Sequence, residues 1–114
     1  MEIKRLFKKA AAPAADADGL LLFYLPGCPY CRQAETLIAQ LLAEHPEYAA
    51  IPLRRVNEIT ERAFAGRFDY WYAPSLFLDG EKLYEADSGD SAAAVKQKLD
   101  AVFRAALERT PAAE

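Results

Sequence analysis

The sequence is poor in the groups that build most metal centres and disulfide frameworks. Of its 114 residues only 2 are cysteine, 1 is histidine and 1 is methionine. A four-cysteine zinc site, a multi-bridge scaffold and a histidine-rich metal cluster are thereby excluded, and no metal is expected. Long apolar runs are lacking too. The densest stretch is Leu20 to Leu25, far short of the ~18 residues a membrane-spanning helix needs, so no membrane partner is expected. Positive charge is not in excess: Lys plus Arg number 14 against 17 Asp plus Glu, a net charge of -3. No domain-wide basic field exists to hold phosphates, and nucleic acid is not expected as a partner. There is no internal repeat, and the one biased stretch is the Ala-rich segment Ala10 to Ala15.

What is present suits one folded unit. The chain has a mass of 12.7 kDa, which leaves no room for a second domain of ordinary size. Hydrophobic residues make up 53%, and 6 Phe, 6 Tyr and 1 Trp supply bulk for a single core. Lys4, Arg5, Lys8 and Lys9 followed by small residues imitate an export signal, but Asp16 and Asp18 stand where a strongly apolar segment is required. A cytoplasmic, reducing setting is therefore expected. Residues 1–19 read as a lead-in, a short helix or flexible segment whose Ile3, Leu6 and Phe7 could dock. Residues 20–110 read as the domain and 111–114 as a loose tail.

Hydrophobic spacing lays out the elements. Leu20 to Leu25 is apolar without alternation and ends at Pro26-Gly27, the pattern of a strand buried on both faces. Ala34, Leu37, Ile38, Leu41 and Leu42 form one helical stripe that stops at His45-Pro46, because proline disfavours helical geometry in the residue before it. Ile51 to Val56 reads as a second strand, and Asn57 as the cap of a short helix carrying Ile59, Ala63 and Phe64. Ser75 to Leu78, Asp79-Gly80 and Glu81 to Glu85 read as a hairpin with a two-residue turn. Ser88-Gly89-Asp90-Ser91 opens a last helix along Val95, Leu99, Val102, Phe103, Ala106 and Leu107. The order β-α-β-α-β-β-α predicts an α/β fold, a four-stranded mixed sheet flanked by helices.

Both cysteines lie in one motif, Cys28-Pro29-Tyr30-Cys31, between the first strand and the first helix. The first N–H groups of a helix lack partners and its dipole is positive there, so a thiol at Cys28 favours its thiolate, which can accept those N–H bonds. Cys28 is thus the candidate nucleophile. Cys31, one turn further on, can attack the Cys28 sulfur of a mixed disulfide and expel the substrate thiol. Pro29 suits the first helical position, where it loses no hydrogen bond. Zinc would need two further ligands where only His45 is offered, and a disulfide closing so short a loop removes little chain entropy. His45 reads as a surface residue.

Here the chain resembles the glutaredoxins, within the thioredoxin-like superfamily, from about Leu20 to Leu107. CPYC as it stands at 28–31 is the form typical of dithiol glutaredoxins, and Arg32 after it is common there. The resemblance implies a thioredoxin-like fold, a cis bond at Ala73-Pro74 beside the cysteines, and Ala73 N–H and C=O groups available to a substrate backbone. It also implies glutathione as a co-substrate, with no bound cofactor, met by Tyr30, Ala73, Pro74, Gly89 and Asp90. Asp90 equally suits the role of helix cap. Three positions depart from the family pattern. Leu25, Pro26 and Gly27 supply no Lys before the first cysteine; Tyr72-Ala73 replaces Thr-Val; Ser88 replaces the first Gly of a pair. Arg62 or Arg67 could supply the missing cation. Of the aromatic run, Trp71 is expected in the core, and Tyr72 in a groove beside the site.

The function these residues imply is a monomeric thiol-disulfide oxidoreductase that reduces protein disulfides or glutathione mixed disulfides. Glutathione or thioredoxin reductase would return the electrons. The alternatives are an iron-sulfur cluster carrier, in which two chains each give Cys28, and a thioredoxin-fold binding module whose cysteines are incidental.

Overall fold

Residues 17–109 are those the computed structural model describes; Ile3, Leu6, Phe7, residues 1–16 of the lead-in and the tail at 111–114 lie outside them. Their elements run β1 (Leu20–Tyr24), α1 (Pro29–Glu44), a 3-10 turn (Pro46–Ala50), β2 (Leu53–Asn57), α2 (Arg62–Ala65), β3 (Ser75–Leu78), β4 (Glu81–Glu85) and α3 (Ala92–Arg109). The sheet order is β2-β1-β3-β4. β1 is parallel to β2 and antiparallel to β3, and β4 is antiparallel to β3. This is the mixed four-stranded sheet that the element order predicts.

The unalternating β1 run has a direct cause in the two layers it separates. Leu20 and Leu22 pack with Leu37, Ile38, Leu99 and Phe103 of α1 and α3. Leu21 and Phe23 point the other way, against Val56, Ala65, Phe68 and Phe77. Phe23 is 0% exposed, with the Phe68, Tyr70 and Phe77 ring centroids 4.8, 5.2 and 5.5 Å away. On α1 the buried residues are Cys31, Ala34, Leu37, Ile38 and Leu41, the expected stripe extended back by one turn to the motif. The helix ends at Glu44, as His45-Pro46 requires.

Two elements differ from expectation. The second strand starts at Leu53 rather than Ile51, because Ile51 closes the 3-10 turn through its N–H to Tyr48 O (3.1 Å). Tyr48 is buried there and its hydroxyl donates to Asp100 of α3 at 2.5 Å. Asn57 caps a turn and not a helix: its Oδ1 accepts from the N–H groups of Ile59 (2.9 Å) and Thr60 (3.3 Å). Helix proper begins only at Arg62, which leaves Ile59 54% exposed. His45 lies at the surface, stacked on Tyr48.

The hairpin forms as expected. Asp79 (φ 50) and Gly80 (φ 87) both take left-handed conformations, which match the strand twist. Asp79 also ties the turn to the start of β1, its Oδ1 accepting from Gly19 N–H (2.7 Å) and its N–H donating to Gly19 O (3.0 Å). A bulge between Leu76 and Phe77 then shifts the register, so Ser75 faces Glu85. Phe23→Ala is expected to lower unfolding free energy by about 3–5 kcal/mol in a urea titration, whereas Ile59→Ala should change it by no more than about 0.5 kcal/mol. Comparable losses from both would contradict the layer assignment.

Candidate functional site

The site starts from a turn that the sequence dictates. Leu25-Pro26-Gly27-Cys28 closes with Cys28 N–H on Leu25 O (3.2 Å), and Gly27 has φ 81. Proline second and a left-handed glycine third is the pattern of a type II turn. It delivers Cys28 to the N-cap of α1 with extended backbone (φ -80, ψ 125), and Pro29 becomes the first helical residue. The Cys28 carbonyl then accepts the N–H of Arg32 (3.1 Å).

The two cysteines lie 3.6 Å apart as free thiols, Cys28 half-buried and Cys31 buried. Cys28 Sγ makes no capping bond to the helix amides; as a thiol it donates to the Ala73 carbonyl, 3.9 Å away. Cys31 Sγ instead accepts the N–H of Leu25 at 3.5 Å. Burial pushes the Cys31 thiol up to about 11, opposed by the Leu25 N–H and reinforced by Cys28 and by the charge of Glu58. Glu58 sits just past β2, and its own N–H donates to Tyr24 O (3.0 Å). One peptide unit, Tyr24–Leu25, therefore holds Glu58 by its oxygen and Cys31 by its hydrogen. The Tyr70 hydroxyl donates to Glu58 Oε1 at 2.5 Å, and burial first, then that bond, raises its phenol well above the ordinary range.

Across from Cys28 the Ala73-Pro74 bond is cis. The segment before it is held from beneath. Glu85 Oε2 accepts the N–H groups of Trp71 (2.6 Å) and Tyr72 (2.8 Å), and Ser75 Oγ donates to Tyr72 O (2.6 Å). Burial raises the Glu85 carboxyl, but Lys82 and the two N–H bonds outweigh it and leave the group below the usual range. The Ala73 N–H has no hydrogen-bond partner among the described residues.

A groove of about 630 Å³ opens here, walled by Tyr30, Trp71 and Tyr72, with Ala73 and residues 85–88 completing it. Tyr30 and Tyr72 are exposed, as the sequence suggests. Trp71 is not in the core as expected but 77% exposed, because Tyr70, one residue earlier, fills the place against Phe23 and Phe77. Gly89 and Asp90 do not line the groove. The Gly89 N–H donates to Asp87 Oδ1 (2.9 Å) and the Asp90 N–H to Asp87 O (3.0 Å). Asp90 does not cap α3 either. Ser91 Oγ accepts the Ala94 N–H (3.1 Å), while the Asp90 carboxylate pairs with Lys98 (2.7 Å). Arg62 and Arg67 do not line the groove; the Arg67 guanidinium lies 4.9 Å from the Phe64 ring centroid.

Glu58, Glu85 and Asp87 carry no motif or spacing that would single them out in the sequence. Hairpin register points to Glu85 only if the bulge is foreseen. Among the described residues, no group of three or more His, Cys, Asp or Glu could hold a metal ion, and no helix is long and apolar enough to cross a membrane.

The element order and sheet order are those that the resemblance drawn from the sequence implies. No protein-family model and no curated protein matches the chain. Among solved structures it is similar to the first two thioredoxin domains of Saccharomyces cerevisiae Eps1p, at 20% identity and a TM-score of 0.49. That similarity covers 95% of this chain, which spans 39% of the length of the other.

The raised Cys31 thiol makes stability depend on pH. Its contribution is full below the ordinary value of 9.0 and is lost as pH rises through about 11, since the unfolded chain ionises first. Tyr48, raised to about 12, acts in the same direction at higher pH. The difference between reduced wild type and Cys31→Ala in denaturant midpoint should therefore shrink from pH 9 upward. A difference independent of pH would show that the buried thiol is not held protonated.

Proposed function

We propose that this chain is a dithiol thiol-disulfide oxidoreductase of glutaredoxin type, working in a reducing, cytoplasmic setting on disulfide-containing proteins. The observation that carries the reading is the asymmetry of the pair. One sulfur is reachable beside the Ala73 carbonyl, and the other lies 3.6 Å behind it, buried and held protonated.

The Cys28 thiolate attacks one sulfur of a substrate disulfide. A bond forms from Cys28 Sγ to that sulfur, the substrate S–S bond breaks, and the second substrate sulfur leaves as a thiolate that takes a proton. Cys28 stands at the N-cap of α1, the positive end of the helix dipole. The substrate backbone pairs with the Ala73 N–H and C=O. Once Cys28 is bonded, its charge and hydrogen bond no longer oppose ionisation of Cys31, while Leu25 N–H still favours the Cys31 thiolate. Cys31 then loses its proton and attacks Cys28 Sγ. The Cys28–Cys31 disulfide forms, the mixed disulfide breaks, and the first substrate sulfur leaves as a thiol. Two electrons have moved from protein to substrate, and a thiol donor must restore them.

Glutathione and thioredoxin reductase are the two candidate donors. The second is favoured by one observation: the Gly89 and Asp90 amides, which glutathione would use, are both engaged by Asp87, and the Asp90 carboxylate by Lys98. Reducing a small neutral disulfide with glutathione plus its reductase, and separately with thioredoxin reductase, decides between them. Turnover with neither would end the enzymatic reading. Cys28→Ser is expected to abolish exchange. Cys31→Ser should accumulate a mixed disulfide visible by intact mass spectrometry; equal loss in both variants, with no trapped species, would contradict the division of roles between the two sulfurs.

A further inference from the structure

We propose that the groove beside Cys28 selects protein disulfides flanked by arginine or lysine and discriminates against glutathione. This rests on the disulfide-exchange reading above and names its substrate class. Among the described residues the charged side chains lining the groove are Glu85 and Asp87, and no described Lys, Arg or His lines it. Glu85 is already engaged by Lys82 through Oε1 and by two backbone N–H groups through Oε2. Asp87 is not. It is exposed, its Oδ1 accepts the Gly89 N–H, and it forms no ion pair among the described residues. Arg32, next to the motif, donates to Gly27 O (3.4 Å) and does not line the groove.

The walls complement that charge. Tyr30, Trp71 and Tyr72 are 49%, 77% and 66% exposed, aromatic side chains beside a carboxylate. A guanidinium stacks flat on aromatic faces while its N–H donors reach a carboxylate, and its methylene stem covers apolar wall. The unpaired Ala73 N–H aligns an extended backbone next to Cys28. A volume of about 630 Å³ admits a residue or two on either side of the reacting sulfur. Glutathione brings two carboxylates and one ammonium, and its disulfide twice that, to a groove whose described charged lining is Glu85 and Asp87. At a Debye length of about 10 Å the repulsion is felt across such a groove.

The test uses three peptides alike except for Arg, Gln or Glu beside a cysteine bonded to one neutral chromophoric thiol. Reduced full-length protein releases that thiol as Cys28 takes the peptide sulfur. At low ionic strength the Arg peptide should react roughly tenfold faster than the Glu peptide, with Gln between. Added salt should narrow the ratio. Asp87→Asn should reduce it several-fold, and Trp71→Ala should slow the Arg peptide more than the Glu peptide. Ordinary reaction of the Gln peptide with equal rates for Arg and Glu, or fastest reaction with glutathione disulfide, overturns the groove inference alone. No reaction even with the Gln peptide overturns the exchange chemistry, and this inference with it.

Discussion

A strand with no exposed face stands at the centre of this molecule, and the rest is arranged to cover it. Leu20 to Phe23 are each at most 2% exposed, and burying such side chains is worth about 1.5–3 kcal/mol apiece before entropy is counted. Apolarity on both faces has a cost in specificity, because a one-residue slip would not expose a polar side chain or bury one. Register must be fixed by other means. Shape supplies one, since Phe23 meets the rings of Phe68, Tyr70 and Phe77 and the opposite face is leucine. The reciprocal Gly19–Asp79 hydrogen bonds supply another, pinning the start of β1 to the hairpin turn.

Fixing β1 fixes the chemistry, because the strand ends where the motif begins. The Pro26-Gly27 turn converts a rigid strand end into the N-cap of a 16-residue helix, so both sulfurs are carried by well-packed elements rather than a loop. Helical periodicity then makes the pair unequal. Cys31 falls on the buried stripe with Ala34, Leu37, Ile38 and Leu41, while Cys28 precedes the helix. The difference in reactivity proposed for the two sulfurs is therefore a consequence of where the apolar stripe of α1 starts.

Much of this is legible in the residues. Two-faced burial of β1, the α1 stripe and its proline stop, the hairpin turn and the cysteine motif all follow from local pattern, and tertiary structure does not override them. The groove is less legible, for physical reasons. Counting back from the Asp79-Gly80 turn without a bulge pairs Ser75 with Tyr84, whereas the shift at Leu76/Phe77 pairs it with Glu85. That one residue decides which side chain supports the Trp71 and Tyr72 amides. Trp71 defies placement from sequence because three consecutive aromatics compete for one core position, and only their contacts show that Tyr70 takes it. Gly89 and Asp90 hold the positions that the resemblance picks out, yet their amides are engaged by Asp87, two and three residues earlier.

The amide joining Tyr24 to Leu25 accepts the Glu58 N–H at one end and donates to Cys31 sulfur at the other. Hydrogen bonds in series polarise one another, so this peptide group is a relay between the neighbouring strand and the sulfur proposed to change oxidation state. Forming the disulfide withdraws acceptor strength at the sulfur end, and the weakening passes back through the carbonyl to the Glu58 amide proton. On the proposed chemistry, residue 58 would carry, in its own backbone, a readable record of whether the pair is oxidised.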